Sequence, residues 1–262
     1  MADGICNNCG ATLAGPYCHR CGQKEADTDW RSLGDLARRF WDELVSLDFK
    51  SVRTMFALFR PGHLAAEFIA GRRQRYLTPL KTYLLAAALF FLAAPHITDF
   101  TFERLIVQDT NGSLRSLVDA KIAETGVSRE LFAGRFERSL QTVYTLMPIL
   151  SVFVLTFLLR GFYGSHFPWL GPHMVIALYQ TAFAFIVALL IHVLNYRLAP
   201  NPLVLLALQS VIVLPYTFVS LRRIYRESPG KTFAKTAAIL VVAFAIDVPI
   251  NIAAVQLSVR LA

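Results

Sequence analysis

Charge is scarce in this chain of 262 residues. Only 17% of the residues are Asp, Glu, Lys or Arg, whereas 55% are hydrophobic and 20 are Phe. An average soluble domain has about 25% charged residues. The composition therefore excludes an ordinary soluble globular protein and predicts an integral membrane protein.

The usual sequence signatures of catalysis are also missing. The chain has no Gly-rich phosphate loop, no Ser-His-Asp arrangement and no pair of carboxylates placed for acid–base work. A non-enzymatic role is therefore the favoured interpretation, although the sequence leaves enzymatic activity undecided.

Basic residues outnumber acidic ones, 26 to 18, but they are unevenly distributed. Five lie in Arg60–Lys81 and five in Arg222–Lys235, and both groups flank apolar stretches. This distribution is typical of cytoplasmic segments beside membrane spans. We therefore expect anionic lipid headgroups as partners, and no nucleic acid. The predicted headgroup patch is Arg72, Arg73, Arg75 and Lys81.

The stretch Gly71–Ile97 joins the water-facing N-terminal third of the chain to the predicted membrane-embedded remainder. Its apolar portion, Thr78–Ile97, is long enough to cross a hydrocarbon core of about 30 Å as a helix. Because the basic residues precede it, this first span should keep the N-terminus in the cytoplasm.

Four further apolar stretches follow, and they complete a predicted all-α membrane protein of about five transmembrane helices. They are Val143–Leu159, His173–Leu194, Pro202–Leu221 and Phe233–Val259. Five spans put the C-terminus outside. If Arg160–Pro172 were a re-entrant break, the number of membrane crossings would be even.

All four cysteines lie in the first 21 residues, as Cys6-x-x-Cys9 and Cys18-x-x-Cys21. Two such turns supply the tetrahedral thiolate set that zinc prefers. Two disulfides are disfavoured in a reducing cytosol, and a redox role lacks the βαβ context it would need. His19 is not needed as a ligand. We predict a Cys₄ zinc ribbon over residues 1–24, acting as a structural clip or docking module.

Residues 25–76 are predicted to form short cytosolic helices. Trp30–Leu47 has an amphipathic pattern, which suits either the membrane interface or the protein's own cytoplasmic surface. Lys50–Phe59 and Pro61–Ala70 follow as elbow helices, the second ended by Gly71.

Residues 77–262 form the predicted transmembrane bundle. An extracytoplasmic cap is expected at 98–142. Within this cap, Thr101–Gln108 is predicted as a short strand.

A series of short motifs runs through about the first 95 residues. They are C-x-x-C-G at Cys6, Y-C-x-x-C-G-Q at Tyr17, Arg53-Thr54, Arg60-Pro61-Gly62, Gly71-Arg72-Arg73 and Arg75-Tyr76-Leu77-x-Pro79. Their order resembles an uncharacterised bacterial family known as domain of unknown function 3667. The resemblance implies a bacterial inner-membrane protein with an N-terminal zinc ribbon and several membrane helices. It implies no catalytic residue.

Asp247 is the one acidic residue well inside a predicted span. A charge near mid-membrane is costly, so we expect Asp247 to face the bundle interior beside Asn251, with Gln180 and Gln209 as candidate partners. These four residues are the candidate intramembrane polar site. The favoured interpretation is that this site joins helices through hydrogen bonds, and the alternative is an ion or proton site.

The sequence thus predicts a non-enzymatic docking, regulatory or scaffold protein that uses its cytosolic ribbon to contact a partner. The alternative is a transporter or channel-like protein built around Asp247. An inverted repeat would favour the transporter, and the sequence has no recognisable one.

Overall fold

The computed structural model describes residues 4–24, 49–97, 102–109, 111–195 and 202–262. Over these ranges the chain is helical without any β-strand, and two isolated bridges occur near the N-terminus, Ile5 with Thr12 and Tyr17 with Lys24. The helices are α1 Phe49–Leu58, α2 His63–Ile69, α3 Pro79–Ile97, α4 Phe102–Gln108, α5 Ser113–Thr125, α6 Arg129–Tyr163, α7 Leu170–Asn195, α8 Pro202–Tyr225 and α9 Pro229–Leu261. The predicted all-α class is confirmed.

Four of these helices, α6 to α9, are long and apolar enough to cross a membrane, and α3 is a shorter apolar helix of 19 residues. All five coincide with predicted spans. Two extend well beyond a bilayer core, since α6 has 35 residues and α9 has 33. Each is continuous through a proline, Pro148 or Pro249.

Helix α7 is the centre of the bundle. In its apolar window 72% of the residues are buried, against 22% in α6 and α8 and 11% in α9. Phe185 of α7 contacts three rings of α3, with centroids 5.3–6.0 Å apart, and Phe183 stacks on Tyr216 of α8. Helices α3, α6 and α8 therefore pack around α7, whereas α9 packs against α6 and α8.

A second, smaller core lies where the cap meets the end of α9. Phe102, Phe132 and Phe136 are almost fully buried there, together with Val259. The predicted strand at Thr101–Gln108 is wrong, because Phe102–Gln108 is helix α4. Phe102 and Ile106, four residues apart, both enter this core, which is a helical spacing and not a strand's alternation.

Two short helices, α1 and α2, lie where the elbow helices were predicted, with slightly different bounds. Gly71 ends α2 with φ +82°, and its N–H donates to the carbonyl of Phe68 at 3.1 Å. The N–H of Arg72 donates to the carbonyl of Glu67 at 2.9 Å. These two bonds make the Schellman motif, for which glycine is preferred at the left-handed position.

The link Arg160–Pro172 is mostly helical. Helix α6 continues to Tyr163 and α7 begins at Leu170, so that only a short turn separates them. His166 in this turn lies 3.7 Å from Glu227, which precedes α9. The α6–α7 and α8–α9 links therefore lie at one end of the bundle, while the cap and the end of α9 lie at the other. This arrangement agrees with separate spans in α6 and α7.

The amphipathic segment Trp30–Leu47 lies outside the described residues. Its helix, and its choice between lipid and protein surface, stay predictions.

Candidate metal centre and membrane junction

The four cysteines converge on one point. Their Sγ atoms all lie within 4.8 Å of one another. The Sγ atoms of Cys6 and Cys21 are 3.6 Å apart, and those of Cys9 and Cys18 are 3.5 Å apart. A disulfide needs about 2.05 Å, and all four cysteines are free. The cluster could hold a metal ion.

Two matching turns create this convergence. The Gly10 N–H donates to the carbonyl of Cys6, and the Gly22 N–H donates to the carbonyl of Cys18, both at 2.8 Å. Gly10 and Gly22 have φ of +74° and +72°. Left-handed φ is easy for glycine and turns the following N–H groups toward the sulfurs.

The donor set fits a tetrahedral ion. Sulfurs 2.3 Å from a tetrahedral metal would be separated by about 3.8 Å, close to the shorter separations seen here. The hydrogen bond from the Gln23 N–H is the largest of the effects that lower the pKa of Cys21 to about 6. At Cys9 the hydrogen bond from the Ala11 N–H is outweighed by burial and the neighbouring thiols, which raise the pKa to about 12. Cys6 and Cys18 are buried, and His19 is exposed away from the set.

The cysteine module, residues 4–24, is fixed to the segment that precedes the apolar helix α3. Buried Gln23 donates from Nε2 to the carbonyl of Gly71 at 2.8 Å and accepts from the N–H of Arg73 at 3.4 Å. A Cβ on Gly71 would lie 3.2 Å from the Cβ of Asn7, so the two backbones approach closely. We call the segment from α1 to the start of α3, residues 49–80, the junction.

The junction is held in turn by α7 and α8. The Tyr179 hydroxyl donates to the carbonyl of Leu77 at 2.9 Å, and the Tyr216 hydroxyl donates to the carbonyl of Leu58 at 2.8 Å. Inside the junction, the Leu77 N–H donates to the hydroxyl of fully buried Thr54 at 2.9 Å. Every buried polar group named here has a partner, as a rigid joint requires.

The predicted headgroup patch is only partly free. Arg72 makes a two-pronged ion pair with Glu67, at 2.6 and 2.7 Å, which lowers the pKa of the Glu67 carboxyl. Arg73 lies over the Phe68 ring, 4.7 Å from its centroid. Lys81 is half-buried, and Arg75 alone of the four is exposed.

Arg75 lies together with three arginines from outside the predicted patch, Arg53, Arg60 and Arg223, around His63 and Tyr76. The His63 ring nitrogen and the Tyr76 hydroxyl are 3.2 Å apart, and Arg53 lies 5.9 Å from the Tyr76 ring centroid. Burial lowers the pKa of His63, and the nearby Arg223, Arg60 and Arg75 lower it further against the opposing charge of Glu67.

The exposed members of this group are Arg53, Arg60, Arg75 and Arg223, which we call the junction arginines. Of the residues that the structure describes, no carboxylate is within ion-pair distance of these four. The spacing along the chain gave no signal for the group, because Arg223 comes from α8.

Asp247 does not face the bundle interior, so that expectation is wrong. The residue is exposed on α9, and its partner there is Asn251, whose Nδ2 donates to Asp247 Oδ2 at 3.0 Å. The Asp247–Asn251 pairing was predicted from their spacing, but the direction in which they point depends on how α9 packs.

The two glutamines of the predicted site are placed differently. Gln180 is buried and donates from Nε2 to the hydroxyl of Thr217, so that a hydrogen bond joins α7 to α8. Gln209 is half-buried on α8. The structure therefore joins Gln180 to α8 and Asp247 to Asn251.

A buried polar and aromatic cluster at the α6–α7 and α8–α9 links escaped the sequence analysis. His173 is buried between the Tyr225 hydroxyl, 2.8 Å away, and the carbonyl of Phe167, 3.0 Å away. Tyr225 stacks on Tyr163, with centroids 3.9 Å apart. Lys235 pairs with Glu227 at 2.6 Å. The sequence did carry a signal for this cluster, because the two links were expected on the same side of the membrane and contain His, Glu and Lys residues.

Together, the fold and the cysteine cluster define a class: an all-helical protein with several membrane-type helices and an N-terminal cluster of four cysteines that could hold a metal ion. Residues 49–91 match DUF3667, a family described as a protein of unknown function. This match confirms the predicted resemblance over the junction and most of α3. No curated protein matches the chain, and no solved structure does either.

Proposed function

We propose that this chain is a non-enzymatic, multi-pass protein of the bacterial inner membrane whose cytosolic zinc ribbon docks a partner protein. The observation that supports this most is the Gln23 bridge to Gly71 and Arg73. It fixes the cysteine module against the point where the chain enters the membrane. A partner bound to the ribbon would thus be held at the membrane surface.

Zinc is the metal we assign to the cluster. Four cysteine thiolates form a closed tetrahedral site with no open position for water or substrate, which is the pattern of a structural zinc. The metal would hold the two turns together, because a module of this size has too small a core to fold alone.

Anionic headgroups are the proposed lipid partners on the cytoplasmic side. The four junction arginines supply this contact better than Arg72, whose charge is already paired with Glu67, because none of the four has a described carboxylate within ion-pair distance. Exposed arginines beside a membrane entry are favourable toward phosphates of the cytoplasmic leaflet.

A transporter built on Asp247 gains no support from its position. A transport site near mid-membrane is expected at an interface inside the protein, whereas Asp247 is on the outer side of α9. Docking therefore remains the first proposal.

Two variants in a strain lacking the native chain separate the proposals. Docking through a zinc ribbon predicts that Cys9→Ser lowers zinc content from about one ion per chain and abolishes complementation, while Asp247→Asn complements fully. A transporter predicts the opposite. Membrane insertion of both variants is checked by fractionation and immunoblotting. Full complementation by a zinc-free Cys9→Ser protein would refute the docking proposal.

A further inference from the structure

The junction arginines come from four separate parts of the chain. They belong to α1, the turn before α2, the segment before α3 and the last turn of α8. Arg60, Arg75 and Arg223 are close enough to His63 for their charges to lower the pKa of its ring. The fourth, Arg53, lies 5.9 Å from the ring centroid of the tyrosine that contacts this histidine. The packing of distant elements therefore gathers four positive charges in one region.

No described acidic side chain balances these charges. Glu67 is near His63, but both of its carboxylate oxygens already accept from Arg72, at 2.6 and 2.7 Å. Within the described ranges, none of the junction arginines has a carboxylate within ion-pair distance. His63 is itself mostly uncharged near pH 7, because its pKa is lowered. An anion that reaches this region therefore meets four positive charges that the described residues leave without a counter-charge.

Two of the four guanidinium groups are held in position by the protein. Arg223 donates from Nη1 to the carbonyl of Pro61 at 3.1 Å, and Arg53 lies over the ring of Tyr76. Gly62 lets the backbones of α2 and α8 approach closely at the same point. An arginine that is already positioned loses less side-chain freedom when it binds an anion. These contacts favour a binding site over a diffuse positive surface.

The junction arginines lie where two apolar helices end. Arg75 is four residues before Pro79, where α3 begins, and Arg223 lies in the last turn of α8. After the first turn of α3 and before the last turn of α8, both helices lack Asp, Glu, Lys and Arg. A bilayer that surrounds these apolar stretches would place its headgroup phosphates beside the junction arginines.

We propose that the junction arginines bind a phosphomonoester, supplied by a lipid whose phosphate is the terminal group of its head, as in phosphatidic acid. A phosphomonoester carries a charge of about −1.5 to −2 and has three oxygens free to accept hydrogen bonds. A phosphodiester headgroup has a single phosphate charge and only two such oxygens. Because a guanidinium group binds phosphate oxygens in pairs, several arginines are matched better by the monoester.

This inference rests on the headgroup contact of the proposed function and adds the class of headgroup. A soluble phosphomonoester would offer the same chemistry without acyl chains. The two sources differ in whether the apolar ends of α3 and α8 contribute to binding, and the experiment separates them.

The test uses the full chain, purified in a detergent without phosphate. Dioctanoyl phosphatidic acid and dioctanoyl phosphatidylglycerol are added at equal concentration, and native mass spectrometry measures how much of each lipid is bound. Both lipids are anionic, but only the first is a phosphomonoester. We expect phosphatidic acid to bind at least about tenfold more tightly, and Arg75→Gln and Arg223→Gln each to weaken its binding by about fivefold or more.

Arg222→Gln is the matched control. Arg222 is exposed in the same last turn of α8 and loses the same charge, but it is not among the residues whose charges act on His63. Its effect on the binding of phosphatidic acid should stay within about twofold. Circular dichroism shows whether each variant is folded. Arg75→Gln keeps the test decisive if Arg223→Gln, which also loses the bond to Pro61, does not fold.

The remaining outcomes have separate meanings. Equal binding of the two lipids, still dependent on the junction arginines, would overturn the monoester preference and leave the headgroup contact of the proposed function intact. Binding that folded Arg75→Gln and Arg223→Gln variants retain in full would overturn the headgroup contact as well. Glycerol 3-phosphate, added at the concentration of the lipid, should leave phosphatidic acid bound. Displacement of the lipid by this compound would overturn the lipid source and assign the site to a soluble phosphomonoester.

Discussion

At the scale of single residues, Gln23 connects the cysteine module to the segment that precedes α3. Its amide both donates to and accepts from the junction backbone while being almost fully buried. A side chain with only one of these functions would leave a buried carbonyl or N–H without a partner.

Gln23→Ala should loosen the ribbon without emptying it. Leaving the Gly71 carbonyl unpaired costs about 1–3 kcal/mol, so amide exchange at Gly71–Arg73 should accelerate by about 5- to 150-fold. Hydrogen exchange with mass spectrometry measures this, and zinc content should stay unchanged. His19→Ala, an exposed change on the same ribbon, should alter neither. Unchanged protection in Gln23→Ala would show that other contacts hold the ribbon.

At the scale of elements, the approach of α2 to α8 depends on a glycine. Gly62 precedes α2 with φ +67°, and a Cβ there would lie 2.9 Å from the carbonyl oxygen of Ser220. Nearby, Arg223 donates to the carbonyl of Pro61 at 3.1 Å. The Arg60-Pro61-Gly62 motif is therefore a contact between two backbones.

Gly62→Ala should lower stability more than Gly126→Ala does. Gly126 has φ +68° with nothing within 4 Å of its would-be Cβ, so it isolates the conformational cost, about 1–2 kcal/mol. Gly62→Ala should add about 1–3 kcal/mol for overpacking against Ser220. Unfolding followed by circular dichroism in one detergent compares the two. Equal losses would contradict the close approach.

The features predictable from sequence were the local ones. Cysteine spacing predicted the cluster around Cys6 and Cys18, and apolar runs predicted the spans. Glycine predicted the end of α2. The wrong predictions concern features that depend on packing between distant parts of the chain. The segment Phe102–Gln108 packs on α6 as a helix, and the exposure of Asp247 depends on how α9 packs against its neighbours. The junction arginines needed Arg223, which is 148 residues from Arg75.

At the scale of the whole molecule, the two ends of the chain lie at opposite ends of the bundle. The ribbon contacts the junction, which packs against α8 close to the α8–α9 link, while Ala262 packs with the cap. An odd number of crossings follows if α3 and the four longer helices all span.

Topology reporters check this expectation. Alkaline phosphatase fused after Ala262 should be active, because the C-terminus is expected outside, and a fusion after Arg226 should be inactive, because that link is basic and expected inside. Green fluorescent protein at the same sites should give the reverse. Fluorescence from the fusion after Ala262 would mean an even number of crossings.

The partners of the junction have a consequence for biosynthesis. The carbonyls of Leu58 and Leu77 bond with Tyr216 and Tyr179, which are 158 and 102 residues further along the chain. At about 5–20 residues per second, a ribosome needs on the order of ten seconds to make those tyrosines after the junction. During that interval the junction has none of its α7 and α8 contacts. The junction can therefore reach its final packing only after α7 and α8 have been synthesised.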